Sequence, residues 1–280
     1  MIDHNCLLFI HIPKTAGTSF KQALKERYGC DYILSDYAHS SAETSPEVLS
    51  YIYQQKDPYL LTRTLQNKRV LLGHFPVGKY MHMFPTLNVV TFLREPVSQV
   101  LSHYKHWITY NNYTKTIEDF VTDERFKNLQ TKYLQAKPLE LFGFIGITEH
   151  FDASIELFNY TYDTTLKSVH INKSQQIFSF DQSIVNLIQQ ENQKDIALYQ
   201  KALQLFNERW NSYKKNKEYI YKLIQEENQE KIRGIAFTKS HNTPAILNIN
   251  GCSVIAKDFR PGFLIHNLPR NSYVGFEYHY

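Results

Sequence analysis

One stretch near the amino terminus, Phe9-Ile-His-Ile-Pro-Lys-Thr-Ala-Gly-Thr-Ser-Phe20, constrains this chain more than any other. Cys6 to Ile12 is a nearly unbroken apolar run, which predicts a strand buried on both faces of a parallel sheet. Beyond it, Phe20, Ala23, Leu24 and Arg27 recur at helical spacing, and residues 21–28 contain neither Gly nor Pro. Between strand and helix lies the turn Pro13-Lys-Thr-Ala-Gly-Thr-Ser19. A helix start offers unpaired N–H donors and partial positive charge, so this turn suits a phosphate or sulfate. Gly17 lets backbone approach the anion, Thr18 and Ser19 add hydroxyls, and Lys14 adds a full charge. The plainer alternative is a capped helix beside a solvated lysine. The pattern is not G-x-x-x-x-G-K-[ST], because Lys14 precedes Gly17 by three residues.

A second segment, Asn88 to Tyr104, adds weight to the anion. Val89 to Leu93 reads as another buried strand, and Pro96 falls in the first turn of the following helix, where its missing N–H costs nothing. Arg94 then sits at the strand's carboxyl end and Ser102 about two turns into the helix, facing one ligand together. Two anion sites at strand ends of one sheet match a nucleotide that carries anions at both ends of its ribose.

These segments resemble the cosubstrate motifs of sulfotransferases that use 3′-phosphoadenosine 5′-phosphosulfate (PAPS). Pro13 to Ser19 is similar to their 5′-phosphosulfate loop, and Arg94 with Ser102 to their 3′-phosphate pair. The forms His11-Ile-Pro-Lys14, Gly73-His-Phe-Pro76 and Asn128-Leu-Gln-Thr-Lys-Tyr-Leu134 are most similar to carbohydrate sulfotransferases, including the heparan sulfate 2-O-sulfotransferase group. The resemblance runs in order from about Phe9 to Phe206. It implies an α/β fold, a P-loop-like parallel sheet flanked by helices, followed by a small β-rich C-terminal appendage. It also implies PAPS as cosubstrate with PAP as product, no metal, and a glycan or polysaccharide acceptor.

By the same resemblance, Lys14 contacts the leaving oxygen, while Thr15, Ala16, Gly17, Thr18 and Ser19 hold the 5′-phosphate through backbone and hydroxyl donors. Arg94 and Ser102 hold the 3′-phosphate. A general base must take the acceptor proton, a step worth on the order of 100- to 10,000-fold. Among the 12 His, His74 follows Gly73 at a strand end and aligns with the histidine base of the 2-O group. His11 reads as structural, and His82, His103 and His106 are second choices. Some relatives use a Glu base; Glu26 and Glu43 are not in a recognisable position for it, whereas Glu95 stays open. Asn128, Gln130 and Tyr133 either touch a substrate or pack, and Lys173 with Ser174 is a candidate closure over the 3′-phosphate.

A chain of 280 residues with 42% hydrophobic content supports one large α/β domain and a small appendage. The net charge of +4 agrees with a polyanionic partner, but nothing resembles a basic nucleic-acid arm. Three cysteines without paired spacing argue against a disulfide framework or a zinc site. No run approaches the roughly 20 apolar residues of a membrane span, and no signal peptide is evident. With Met1 almost on the first strand, the expectation is a cytoplasmic, bacterial-type enzyme rather than a trimmed Golgi domain. The sequence leaves the oligomeric state unknown.

Along the chain, strands are expected at 30–34, 70–72, 142–147 and 168–172, and helices at 46–55, 96–110, 116–123, 124–135 and 151–160. Residues 181–233 read as helical, with the charged runs 214–217 and 226–230 as a solvated face or linker. After Arg233 the helical stripe ends, and Asn250-Gly251, Pro261-Gly262 and Pro269 punctuate short strands. The division is therefore 1–233 for the sulfotransferase domain and 234–280 for the β-rich module. The rival readings are a tyrosylprotein sulfotransferase, a nucleotide kinase, and a non-catalytic glycan-binding protein that keeps the fold.

Overall fold

Five short apolar segments build the centre of the molecule, as the computed structural model, which describes residues 6–171, 181–240 and 242–280, makes plain. In chain order the elements are β1 (Leu7–Ile10), α1 (Gly17–Tyr28), β2 (Ile33–Asp36), α2 (Pro46–Val48, prolonged by a π-helical stretch over Leu49–Gln54), α3 (Pro58–Leu65) and β3 (Val70–Gly73). They continue with β4 (Val89–Leu93), α4 (Pro96–Tyr110), α5 (Ile117–Thr122), α6 (Leu129–Leu134), β5 (Phe144–Ile147), α7 (Phe151–Tyr162), α8 (Gln182–Glu191) and α9 (Gln193–Lys214). The C-terminal strands are β6 (Tyr221–Glu227), β7 (Lys231–Phe237), β8 (Ala245–Ile249), β9 (Cys252–Ala256), β10 (Asp258–Phe259) and β11 (Tyr273–His279).

The first five strands form one parallel sheet in the order β2-β3-β1-β4-β5. Every residue of β1, β3, β4 and β5 is buried, as strands covered on both faces require. The chain leaves β1 across β3 to reach β2, and leaves β3 across β1 to reach β4. The connections after these neighbouring strands therefore run in opposite directions, the arrangement that in open α/β sheets favours a ligand at the strands' carboxyl ends. The α/β architecture expected from sequence is the one observed.

The helical reading of 181–233 holds only as far as Lys214. Asn216 turns left-handed (φ 49), and Tyr221 to Glu227 pairs antiparallel with Lys231 to Phe237. The acidic run is the hairpin turn, with Asn228 Oδ1 accepting from the amides of Glu230 and Lys231. Glu226 pairs across the strands with Arg233 at 2.6 Å. Such charges read as a solvated helix face until a partner strand is known. Arg233, where composition changes, lies inside β7.

Three smaller expectations also shift. Residues 30–32 are a 3-10 turn before β2. The helix expected over 124–135 is confined to α6, because Asn128 adopts φ 49. Residues 168–171 belong to no strand, and Asn172, Lys173 and Ser174 lie outside the described residues.

The C-terminal strands make an antiparallel sheet, β10-β11-β7-β6, and a β8-β9 hairpin turned by Asn250 (φ 51) and Gly251 (φ 82). They pack under the amino-terminal end of the parallel sheet, where Tyr221, Phe237, Leu268 and Val274 cluster with Leu141. Arg209 and Tyr221 donate to the carbonyls of Phe142 and Gly143, just before β5.

Candidate active site

The loop after β1 is shaped by what holds its carbonyls. His11 O accepts from His74 Nδ1 at 2.5 Å, Ile12 O from Thr15 Oγ1 at 3.0 Å, Pro13 O from Gln99 Nε2 at 3.0 Å, and Lys14 O from Arg94 NH1 at 3.2 Å. These consecutive acceptors are therefore satisfied by side chains from the loop itself, the ends of β3 and β4, and α4. Lys14 (φ 67) and Ala16 (φ 63) are both left-handed, a cost of about 1–3 kcal/mol each that the surrounding bonds must offset. The first hydrogen bond of α1 is Phe20 N to Ala16 O at 3.1 Å, so the amides of Gly17, Thr18 and Ser19 precede the helical ladder. Donors without intrahelical partners thus stand beside a lysine.

Hydroxyl roles differ from the sequence expectation. Thr15 is fully buried with its hydroxyl on Ile12 O, and Ser19 Oγ accepts from Ile171 N at 3.1 Å. At these two positions the backbone N–H, not the side chain, is the group left to offer. Thr18 is exposed, and Ala16 supplies the turn itself. Gly17 is needed for a reason the sequence did not show. A Cβ there would lie 2.0 Å from His11 Cδ2, so the glycine makes room for the His11 ring.

The sheet register brings the other residues to this loop. Ile10 pairs with Gly73 and with Thr91, which sets His74 beside His11 and Arg94 beside the Lys14 loop. A Cβ at Gly73 would collide with Asp36 O at 1.9 Å, so only glycine lets β3 end so close to β2. Ser102 is half-buried on α4, one turn beyond the Gln99 that holds Pro13. Lys14 is brought below the usual lysine pKa by burial, then by Arg94 and Lys105. Lys105, another α4 residue, carries no signal in the sequence.

His74 keeps solvent access. Burial lowers its pKa, against the opposing pull of the His11 carbonyl and Glu43. A carbonyl only accepts, so Nδ1 carries the proton and neutral His74 has its lone pair on Nε2. His11 is buried, bonded through Nδ1 to Tyr37 OH at 2.9 Å, and its pKa is driven well down by burial and then by His74.

The remaining candidates separate clearly. His103 is buried, accepts from Trp107 Nε1 at 2.9 Å, and is held near pKa 3 by burial, which makes it structural. His106 is half-buried on α4, its pKa lowered by burial and then by Lys14. His82 is exposed and tied by its carbonyl to Asn267. Glu95 is the N-cap of α4, with its carboxylate on Val97 N and Ser98 N. Glu43 pairs with Lys21 at 2.6 Å and is electrostatically coupled to His74, a placement not recognisable from sequence. Glu26 bonds Gln22 on α1.

Asp36, at the end of β2, also escaped the sequence reading. Almost wholly buried, it accepts from Lys79, Tyr80, Tyr53 and the Ala38 amide. Burial works to raise its pKa, but these donors win and keep it ionised. With its oxygens occupied, it braces the strand ends. A separate cavity of about 140 Å³, lined by Tyr160, Arg209, Tyr219 and Lys239, shares no residue with this site.

A family model described as the sulfotransferase family matches residues 1–235. The chain belongs to the sulfotransferase family. As a member, this sulfotransferase is an enzyme that moves a sulfuryl group to an acceptor. A sulfotransferase from Alicyclobacillus acidocaldarius is similar at 13% identity and a TM-score of 0.43, over 69% of this chain and 93% of its own. The mouse sulfotransferase SULT7A1, solved with PAP, is similar at 11% identity and a TM-score of 0.39, over 69% of this chain and 66% of its own. The family match, not these distant likenesses, carries the assignment. No curated protein matches this sulfotransferase. No described helix is long and apolar enough to cross a membrane.

Proposed function

We propose that this sulfotransferase takes its sulfuryl group from PAPS and passes it to a glycan hydroxyl, with Lys14 at the leaving oxygen and His74 as general base. One observation carries the reading: the ends of β3, β1 and β4 bring His74, Lys14 and Arg94 to the loop whose amides open α1 ahead of its first helical hydrogen bond. The donor set fits the nucleotide, with amides and an ammonium for the 5′ end and the Arg94 guanidinium with the Ser102 hydroxyl for the 3′-phosphate. PAPS supplies the activated sulfuryl group and leaves as PAP.

Lys14 acts as a charge placed where negative charge develops, in a loop already fixed by its carbonyls, so little reorganisation is needed. Thr15, Ala16, Gly17, Thr18 and Ser19 line the 5′ end, chiefly through their amides. His74 Nε2 receives the acceptor proton while Nδ1 stays on the His11 carbonyl. The likeness of residues 11–14, 73–76 and 128–134 to carbohydrate sulfotransferases, the heparan sulfate 2-O group among them, supports a glycan acceptor. The β-rich C-terminal region is proposed as an appended module.

The test is calorimetric titration with 3′,5′-ADP against 5′-ADP. Charge-assisted bonds to a 3′-phosphate predict a preference of about 10- to 100-fold for the first. Equal affinity would overturn the PAPS reading. With PAPS supplied, preferential sulfation of tyrosine peptides over polysaccharides would overturn the glycan acceptor.

A further inference from the structure

Arg94 lies just past the end of β4, where the ladder that pairs Leu93 with Ile147 has stopped. Its main chain is nevertheless held at both polar atoms by one side chain. Gln130 Oε1 accepts from Arg94 N at 3.0 Å, and Gln130 Nε2 donates to Arg94 O at 2.9 Å. Gln130 is fully buried. This pair of bonds imitates a missing neighbour strand and fixes the peptide planes on either side of Arg94.

The clamp is itself held by two helix starts that cap each other. Asn128, left-handed at φ 49, donates its amide to Asn192 Oδ1 at 2.8 Å, and its own Oδ1 accepts from Lys194 N and Asp195 N at the start of α9. Asp195 returns the bond, accepting from Gln130 N at 3.0 Å and from Thr131 N and Oγ1 at 2.7 Å at the start of α6. Asn192 and Asp195 are each only 1% exposed. A buried network with its members satisfied is rigid, and a rigid mount is what a long, flexible arginine needs to meet a ligand at low entropic cost.

We propose that Gln130 is a positioning residue for the 3′-phosphate end of the nucleotide, with the reciprocal caps at 128–131 and 192–195 as the fixture behind it. This rests on the reading of Arg94 as a 3′-phosphate ligand. Gln130 touches no nucleotide in this account; it acts through the backbone of Arg94. The segment that resembled a substrate-contacting motif is then a brace.

The experiment titrates wild type, Gln130→Met, Gln130→Glu and Arg94→Ala with 3′,5′-ADP and with 5′-ADP, and checks each fold by thermal melting. Gln130→Met loses both bonds. It should weaken 3′,5′-ADP about tenfold, the lower end of what losing a partner behind a ligating group costs. Its affinity for 5′-ADP should fall much less, since Arg94 is only one of several groups that hold the Lys14 loop. Gln130→Glu keeps the acceptor for Arg94 N but sets a second acceptor against Arg94 O, so it should weaken 3′,5′-ADP at least as much as the Met variant, and it carries the test if the Met variant does not fold. If wild type prefers 3′,5′-ADP and Arg94→Ala abolishes that preference while the folded Gln130 variants keep it, the positioning role is overturned and the Arg94 reading stands. Equal weakening of both nucleotides also overturns it, as a general structural effect. If wild type shows no preference, the Arg94 reading falls and the inference falls with it.

Discussion

His74 Nδ1 lies 2.5 Å from an oxygen that can only accept, so the tautomer that the proposed base requires is set by the backbone just after the neighbouring strand β1. Because surrounding protein holds its pKa below the ordinary 6.5, His74 is neutral at pH 7. Turnover should rise with pH through a limb below 6.5, and fall again through a limb below 10.5 as Lys14 loses its proton. His74→Ala should remove the acid limb and cost on the order of 100- to 10,000-fold in kcat, with 3′,5′-ADP affinity retained. A pH–rate profile of the variant that keeps the acid limb would take His74 out of the mechanism.

Among the elements, α4 carries the most. Pro96 sits in its first turn, Glu95 caps it from outside with both carboxylate oxygens, and Gln99 reaches back to the Lys14 loop. The cap engages both Glu95 carboxylate oxygens, on Val97 N and Ser98 N, which weighs against the open alternative that it serves as base. Glu95→Ala should lower stability by about 0.5–2 kcal/mol in urea unfolding. It should leave the acid limb of the pH–rate profile in place; loss of that limb would return Glu95 to the proton-transfer step.

On the scale of the whole molecule, buried titratable groups make folding depend on pH. His103 has a folded pKa near 3, below the unfolded 6.5, so the unfolded chain binds more protons between those values. Stability from this group is complete above pH 6.5 and is lost as pH falls, at up to about 1.4 kcal/mol per pH unit. Lys137, 3% exposed and bonded through Nζ to Thr86 Oγ1 at 2.7 Å, is lowered by burial to about 7. Its unfolded form also binds the extra proton, from pH 7 to 10.5, so stability should climb with pH across that window. Lys137→Met should remove the climb and stabilise the protein at pH 7 by about 1–3 kcal/mol in urea unfolding. A destabilised variant would show that the amine is needed where it lies.

The parallel-sheet core and the start of the site were legible because they are local. Apolar runs with no polar alternation mark strands buried on both faces, and Pro96 after Val89 to Leu93 marks a strand–helix junction within a few residues. Lys14, His74 and Arg94 stood out because each follows such a strand, and parallel strands place their carboxyl ends together. What the sequence could not carry were contacts between residues far apart in the chain. Gly17 makes room for His11, Gly73 for Asp36, and Gln130 clamps Arg94; each depends on which strand or helix becomes a neighbour. β6 and the first residues of β7 read as helix for the same reason, since Glu226 and Arg233 become a cross-strand pair only once β6 and β7 meet, whereas the strands beyond Arg233 were legible from their turn residues. Sequence by itself determined the fully buried strands β1, β3, β4 and β5 and the residues that follow them; the tertiary structure alone decided which polar groups are occupied and which remain open to a ligand, because hydrogen-bond satisfaction is a property of neighbours in space.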